Sequence, residues 1–423
     1  LYIVNAVMFG IGSLVCFMLA QAVPFNALEV LWDPRQTQWL ILIFLLLFIP
    51  FFCAAICICL VFTQYGEQLH KIYCFDLLGA GCGAAGIIAV LFVVSPPTAL
   101  QVVGALGLFS AILAWWELRL RPRWPLAILL LATGVMLSPG AGIELKVSEF
   151  KGLSQALRVL DAEQIDERSS PLGLLTTVRS PTVPYRHSPG LSLNSPTPVP
   201  AQLGLFTDAD ALSVLTEFDG GLEKIAHLDY QSSALAYHLL DRPDVLVLGA
   251  GGGADVLQAL YHRANRIDAV ELNPQVVGLV NREFAEFTGA IYELPQVKVY
   301  NDEARGFVAA SDERYDLIQV ALLDSYNASS GGLHSLSENY LYTVEALTQY
   351  IKRLREGGIL SITRWIKTPP RDGLKMMATA IEALRRAGVT DPGRQLVMIR
   401  SWNTTTLPVS YTHLTLPTNV SMC

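Results

Sequence analysis

Residues 244–261 read DVLVLGAGGGADVLQALY, and the fold of the larger part of the chain follows from them. DVLVLG (244–249) is a continuous apolar run with β-branched residues, the pattern of a strand buried on both faces of a parallel sheet. The glycines of GAGGGA turn the chain, and ADVLQALYHR continues as an amphipathic helix. Outward from this unit the alternation persists. RIDAVEL (266–272) reads as a second strand, Pro274 to about Phe287 as a helix, and QVKVY (296–300) as a third strand. YDLIQVAL (315–322), GGILSIT (357–363) and QLVMIR (395–400) supply three more, with helices at Leu341–Arg355 and Asp372–Ala387. Elements of these lengths in alternation imply a Rossmann-like, doubly wound parallel sheet over residues 241–408.

In such sheets a ligand binds beyond the carboxyl ends of the strands. Gly249, Gly251 and Gly253 form a turn without Cβ atoms, so backbone can approach a ligand at the following helix N-terminus. Glu271 ends the second strand, where a carboxylate can accept both hydroxyls of a ribose. Asp302 and Glu303 follow the third, where an acid can accept from an adenine amino group. Glycine turn, acid after strand two and acid after strand three together suit an S-adenosyl nucleoside. An NAD reading explains the first two features only, and GAGGGA departs from the GxGxxG spacing.

Before this domain, residues 143–240 alternate short β-prone runs (LLTTVRS, LSLNS, LGLFTD) with Pro, Gly and Ser punctuation, which reads as a small antiparallel β subdomain. His187 and His227 lack partners at metal-ligand spacing, so no metal is expected. Residues 1–142 differ in kind. They carry five basic and five acidic side chains, so the whole net charge of −7 lies in the rest of the 423 residues. Apolar runs at Leu1–Phe25, Trp39–Phe62, Tyr73–Val94 and Thr98–Trp116 are long enough to cross a bilayer, and Pro125–Ala141 is a short fifth. The expectation is a multi-pass α-helical membrane domain with lipid as its surroundings. DLLGAGCGAAG (76–86) holds small residues at a density that favours close helix approach. Asp76, at its head, is a functional candidate as an ionisable group within a span, with an interfacial helix cap as the other reading. Cys53, Cys57 and Cys59 have no nearby His or carboxylate in sequence and read as small buried hydrophobes. Arg119, Arg121 and Arg123 favour a cytoplasmic loop, whereas five full spans would carry the globular domain to the other side. The expectation retained is an inner-membrane protein with a cytoplasmic globular domain.

With 16% charged residues and no basic excess, disorder, collagen and a nucleic-acid partner are excluded as expectations. The chain opens inside an apolar run and closes on LTLPTNVSMC, so it is expected to be truncated at both ends. VSYTHLTLPT (409–418) resembles translated sequencing-adaptor read-through, and residues 409–423 are expected to be a non-native tail.

LGLFTDAD, LDYQSSALAYH (228–238), VLVLGAGGGADVLQAL, DAVELNP, NDEARGFV, YDLIQVALLDS and SENYLYTVEAL occur in this order, and over residues 204–365 the chain resembles the spermidine synthase family in its membrane-fused bacterial form. The resemblance implies a nucleoside domain behind a small β domain. It implies decarboxylated S-adenosylmethionine, or S-adenosylmethionine itself, as co-substrate, with no metal, and a polyamine or other small-molecule amine as partner. Such enzymes move an aminopropyl group to the amine and release methylthioadenosine. Tyr230 and Gln231 match the family's Tyr-Gln near the substrate channel, and Glu338 and Tyr340 its gate loop. Two positions depart from the pattern. Gly252 replaces the acid of GGGDGG, for which Asp255 is a candidate substitute, and Ala321 replaces the first Asp of D-x-x-D, leaving Asp324 as candidate base. An ammonium must lose a proton before it attacks, so Asp324, helped by Tyr230 or Tyr340, is the expected catalytic group. Alternatives are a methyltransferase on the same fold and a transporter or sensor regulated by its nucleoside domain. Homo-oligomerisation is left open.

Overall fold

The computed structural model describes every residue except 27, 28, 31, 122, 123, 139–142, 324–339, 367–369, 411 and 413–423. The chain divides into two units, Leu1–Ser148 with Arg168–Leu174, and Glu149–Glu167 with Leu175–Cys423.

The first unit is helical: α1 (Tyr2–Ala22), α2 (Pro34–Gln64), α3 (Leu69–Leu91), α4 (Pro96–Glu117) and α5 (Trp124–Met136). Asp33 caps α2 by accepting the Arg35 N–H, with Pro34 at the first helical position. Among the described residues, four helices are long and apolar enough to cross a membrane. The expected fifth span contracts to the 13 residues of α5, below the length a crossing needs. Small residues do bring helices together, but not where the sequence suggested. A Cβ on Gly10 would stand 2.7 Å from the Gly104 carbonyl oxygen, and one on Gly104 2.8 Å from that of Gly10, so α1 and α4 meet backbone to backbone. Among the described residues, nothing lies within 4 Å of a Cβ placed on Gly79, Gly81, Gly83 or Gly86 of α3. Leu108 and Ala111 of α4, fully buried, and Ala6 of α1 form the centre of this bundle.

The second unit begins with α6 (Gly152–Ala156) and most of a four-stranded sheet in the order β1 (Glu163–Ser170), β2 (Gly173–Arg179), β3 (Gln202–Thr207), β4 (Ala211–Thr216), the end of β1 and the start of β2 being counted with the first unit. β3 pairs antiparallel with both β2 and β4. A tight turn at Asp208 and Ala209, both at positive φ, joins β3 to β4. This is the antiparallel subdomain expected before the α/β domain.

The α/β part follows: α7 (Leu235–His238), β5 (Asp244–Leu248), α8 (Ala254–Tyr261), β6 (Arg266–Glu271), α9 (Pro274–Gly278), α10 (Ala285–Thr288), β7 (Val297–Asn301), α11 (Ala304–Ala310), β8 (Tyr315–Val320), α12 (Val344–Lys352), β9 (Leu354–Trp365), α13 (Arg371–Arg386), β10 (Ile399–Arg400) and β11 (Thr404–Ser410). The strands lie in the order β10-β11-β9-β8-β5-β6-β7. β5 to β9 are parallel, as expected. The last two strands correct the all-parallel expectation. Residues 395–400 give only the short β10, and the longer β11 runs antiparallel to β9, pairing Leu407 with Ile362. β11 reaches two residues past 408, and Val409 is buried in the core.

One apolar cluster on this sheet joins Val245, Val247 and Ile267 to α8 and the small sheet, and another joins Leu246, Leu248 and Ile318 to α12 and α13. Alternate residues of β5 thus serve opposite faces, and truncating either set to Ala would cost about 2–5 kcal/mol per residue. Because β5 lies between β6 and β8, the connections diverge at its carboxyl end, and that divergence opens the crevice used for ligands.

Candidate active site

At the end of β5 the backbone N–H groups of Gly249 and Ala250 donate to the Val270 carbonyl of β6, at 2.9 and 3.0 Å. This fixes the start of the glycine turn to the neighbouring strand. Gly253 then adopts φ +93°, and a Cβ on it would lie 2.1 Å from Ile291 Cδ1. Conformation and space both require glycine there. Gly252 has no room either, because its Cβ would fall 2.0 Å from the Val214 carbonyl oxygen of β4. The small sheet therefore presses on the turn where the family pattern has an acid, and only glycine fits.

A cavity of about 380 Å³ opens over this turn, within the size range of small-molecule sites. Gly249, Gly251, Asp255 and Gln231 line it, as does Ala321, so the position of the missing family Asp does face the cavity, with a methyl group. His187, Ser188, Gln202, His227 and Trp365 line it as well.

Asp255, in the first turn of α8, is the carboxylate that lines the cavity beside the glycine turn, and Asp210 lines it as well. Desolvation raises the pKa of Asp255 to about 6, opposed by the hydrogen bond it accepts from Gln319 Nε2. Gln319 belongs to a buried polar chain. Its Oε1 accepts from Tyr237 Oη at 2.6 Å, and its Nε2 donates to Gln258 Oε1 at 3.0 Å. Gln258 Nε2 donates to the Leu228 carbonyl at 2.8 Å and to Gln231 Oε1 at 3.3 Å, and Gln231 Nε2 donates to Ser188 Oγ at 2.7 Å. Each buried amide is thereby satisfied, and the chain ties Gln231 to Asp255 across the cavity floor.

Glu271 stands beside the turn. Its Oε2 accepts the Gly251 N–H and its Oε1 the Asn273 N–H, each at 2.8 Å. Burial raises its pKa, partly offset by these backbone hydrogen bonds. Tyr292 Oη donates to the Gly251 carbonyl at 2.7 Å, holding the same residue from its other side.

The remaining expected residues are spread more widely. Glu303 caps α11, its oxygens accepting from the Arg305 and Gly306 N–H groups, while Asp302 Oδ1 accepts the Glu303 N–H. Tyr340 is half-exposed, its pKa raised by desolvation and by the nearby Glu303, and Arg305 donates to its carbonyl at 3.3 Å. Tyr230 is exposed, its carbonyl accepting from the Ser192 N–H. Neither tyrosine lines the cavity. Asp324 and Glu338 lie outside the described residues.

Sequence reading missed Gln258, Gln319, Tyr237 and Tyr292. A lone polar residue inside an otherwise apolar strand (Gln319 in YDLIQV) was the available signal. His187, read in the sequence only as lacking a metal-ligand partner, is a cavity residue whose pKa burial lowers to about 4. A second polar group lies at the other end of α8, where Asp229, His238 and His262 bring one donor atom each within 4.8 Å of one another, the arrangement of a metal-ligand set.

Residues 222–378 match the family model of the Spermine/spermidine synthase domain. The chain is 29% identical over 122 residues to a polyamine aminopropyltransferase of Korarchaeum cryptofilum, covering 29% of this chain and 35% of the relative. It is 30% identical over 162 residues to a polyamine aminopropyltransferase of Clostridium perfringens, covering 38% and 52%. The chain thus spans about a third to a half of the length of these curated relatives. A solved structure of a probable spermidine synthase from Corynebacterium glutamicum aligns over 62% of this chain and 83% of its own, at 14% identity and a TM-score of 0.40, too low to add to the topology above. The α/β domain, on its Rossmann-like sheet, is thus similar to the Spermine/spermidine synthase domain over residues 222–378.

Proposed function

We propose that the chain is a membrane-bound transferase that moves the aminopropyl group of decarboxylated S-adenosylmethionine to a polyamine or another small amine. The observation that carries the reading is the cavity at the switch point, where the glycine turn faces Asp255 and Gln231. Relatives described as polyamine aminopropyltransferases support the same reaction class.

In this reaction the neutral amine attacks the methylene carbon bonded to the sulfonium. A C–N bond forms as the C–S bond breaks, the bonding pair stays on sulfur, and neutral methylthioadenosine leaves. The nitrogen carries the positive charge until it loses a proton. Gly249, Gly251 and Gly253 would let backbone meet the nucleoside, Glu271 would take the ribose hydroxyls, and Asp302 or Glu303 the adenine amino group. With a pKa near 6, Asp255 is mainly ionised at neutral pH and suits an ammonium group of donor or acceptor. Asp324, just after β8, is assigned the proton of the attacking amine, with Tyr230 and Tyr340 at the channel and its gate. The four apolar helices suit a lipid bilayer, with the catalytic domain on the cytoplasmic side.

Membranes carrying the chain would be supplied with S-adenosylmethionine and its decarboxylated form, together with a panel of amines, and the nucleoside products followed by mass spectrometry. Amine-dependent methylthioadenosine is the expected product. S-adenosylhomocysteine would replace the reading with methyl transfer, for which the absence of acids at Gly252 and Ala321 is the favouring observation. Neither product, in membranes that bind the nucleoside, would overturn both.

A further inference from the structure

Asp229, His238 and His262 come from three separate elements. Asp229 lies in the turn just before Tyr230 and Gln231, His238 ends α7, and His262 caps the carboxyl end of α8. Asp229 Oδ1 stands 2.8 Å from His238 Nε2 and 3.3 Å from His262 Nε2. Ligands of a tetrahedral zinc ion at about 2.0–2.1 Å from the metal are separated by roughly 3.4 Å; the two separations from Asp229 approach that spacing, and all three donor atoms lie within 4.8 Å of one another.

The polar bookkeeping points the same way. Among the described residues, Asp229 Oδ1 and His262 Nε2 are both buried and make no hydrogen bond of ordinary geometry, although Oδ1 also lies 2.8 Å from His238 Nε2. Buried polar atoms left in this way are costly unless a further group, such as a cation, reaches them together. His262 is held in place by Tyr237, whose ring stacks on it at 4.7 Å with an interplanar angle of 8°. The His262 side chain is 11% exposed and that of Asp229 27%, while the His238 side chain is 45% exposed, so the cluster is rigid on its inner side and open on the other.

We propose that Asp229, His238 and His262 form a binding site for a borderline divalent cation of the zinc type, with its remaining position open to water. Two imidazoles and one carboxylate select such a cation over calcium or magnesium, which take oxygen ligands. The site lies at the far end of α8 from the glycine turn, so its ion acts as a clamp and takes no part in bond breaking. It joins the turn carrying Gln231 to α7 and α8. Through Tyr237, which stacks on His262 and donates to Gln319, it also abuts the polar chain that ends on Asp255.

The test uses the full chain in detergent, stripped with a chelator and titrated with Co²⁺ as a spectroscopic probe, then with Zn²⁺ in competition. The wild type is expected to show ligand-field bands that saturate at one equivalent and are displaced by Zn²⁺, with a rise in thermal transition temperature on Zn²⁺ addition. His238→Gln and Asp229→Asn are expected to weaken Co²⁺ binding by roughly 100-fold while melting, metal-free, where the metal-free wild type melts. A His70→Gln control in the membrane unit is expected to bind as the wild type does. Absence of stoichiometric bands in the wild type overturns the site. So does unchanged affinity in either ligand variant, or loss of binding in the His70 control.

Discussion

The carboxylate of Glu271, at the end of β6, accepts the backbone N–H of Gly251 at 2.8 Å, so the acid expected to read a ribose also holds the glycine turn in shape. A glutamine there would keep the size of the side chain but present one acceptor where two N–H groups now converge. Glu271→Gln is expected to lower affinity for methylthioadenosine about 10- to 100-fold, read by titration calorimetry. Equal affinity in the variant would remove Glu271 from the nucleoside site.

Asp255 combines a functional and a structural consequence. Its folded pKa, about 6, is raised above the ordinary 3.8, so the fold favours the protonated acid. That contribution is full below pH 3.8 and is lost as pH rises through about 6. Asp255→Asn keeps an acceptor for Gln319 and is expected to stabilise the domain at pH 7.5 by up to about 3 kcal/mol. The same change removes the carboxylate from the cavity, so amine-dependent turnover should fall, and wild-type turnover should decline as pH drops below about 6. A variant that is both active and no more stable would contradict the placement.

Gly252 tests why the family acid is absent. Gly252→Asp restores the pattern residue but drives its Cβ to 2.0 Å from the Val214 carbonyl oxygen. The expected outcome is destabilisation by about 3 kcal/mol with no gain in turnover, measured by thermal denaturation beside the product assay. Rescue of activity would mean that β4 yields easily.

In the helical unit, Gly10→Ile would insert a branched side chain where a Cβ already lies 2.7 Å from the Gly104 oxygen. Separation of α1 from α4 by about 2 kcal/mol should expose Cys16, now buried in α1. Thiol labelling in detergent reads this directly, and a labelling rate equal to the parent's would show that the contact is dispensable.

Most of the sheet was legible because its signals are local. DVLVLG, RIDAVEL and YDLIQVAL each carry an apolar pattern within a few residues, and each forms a strand within a residue or two of the expected limits. QLVMIR misled for the same reason: it is as apolar as a strand, yet the space beside β9 is filled by TTTLPVS, and only pairing partners decide between them. The small residues of α3 misled likewise, because composition permits close packing without choosing the partner, and α1 with α4 meets at isolated glycines instead.

By itself the sequence determined the apolar helices, the succession of strands β5 to β9, and the glycine turn flanked by Glu271. These rest on residues adjacent in the chain or at a fixed helical or strand period, which physics couples directly. The tertiary structure decided the rest: that Val214 leaves Gly252 no side chain, that Gln319 reaches Asp255 across 64 positions, and that Asp229, His238 and His262 converge. Such contacts arise from how layers pack, and no local pattern in the chain records the distance between residues that only folding brings together.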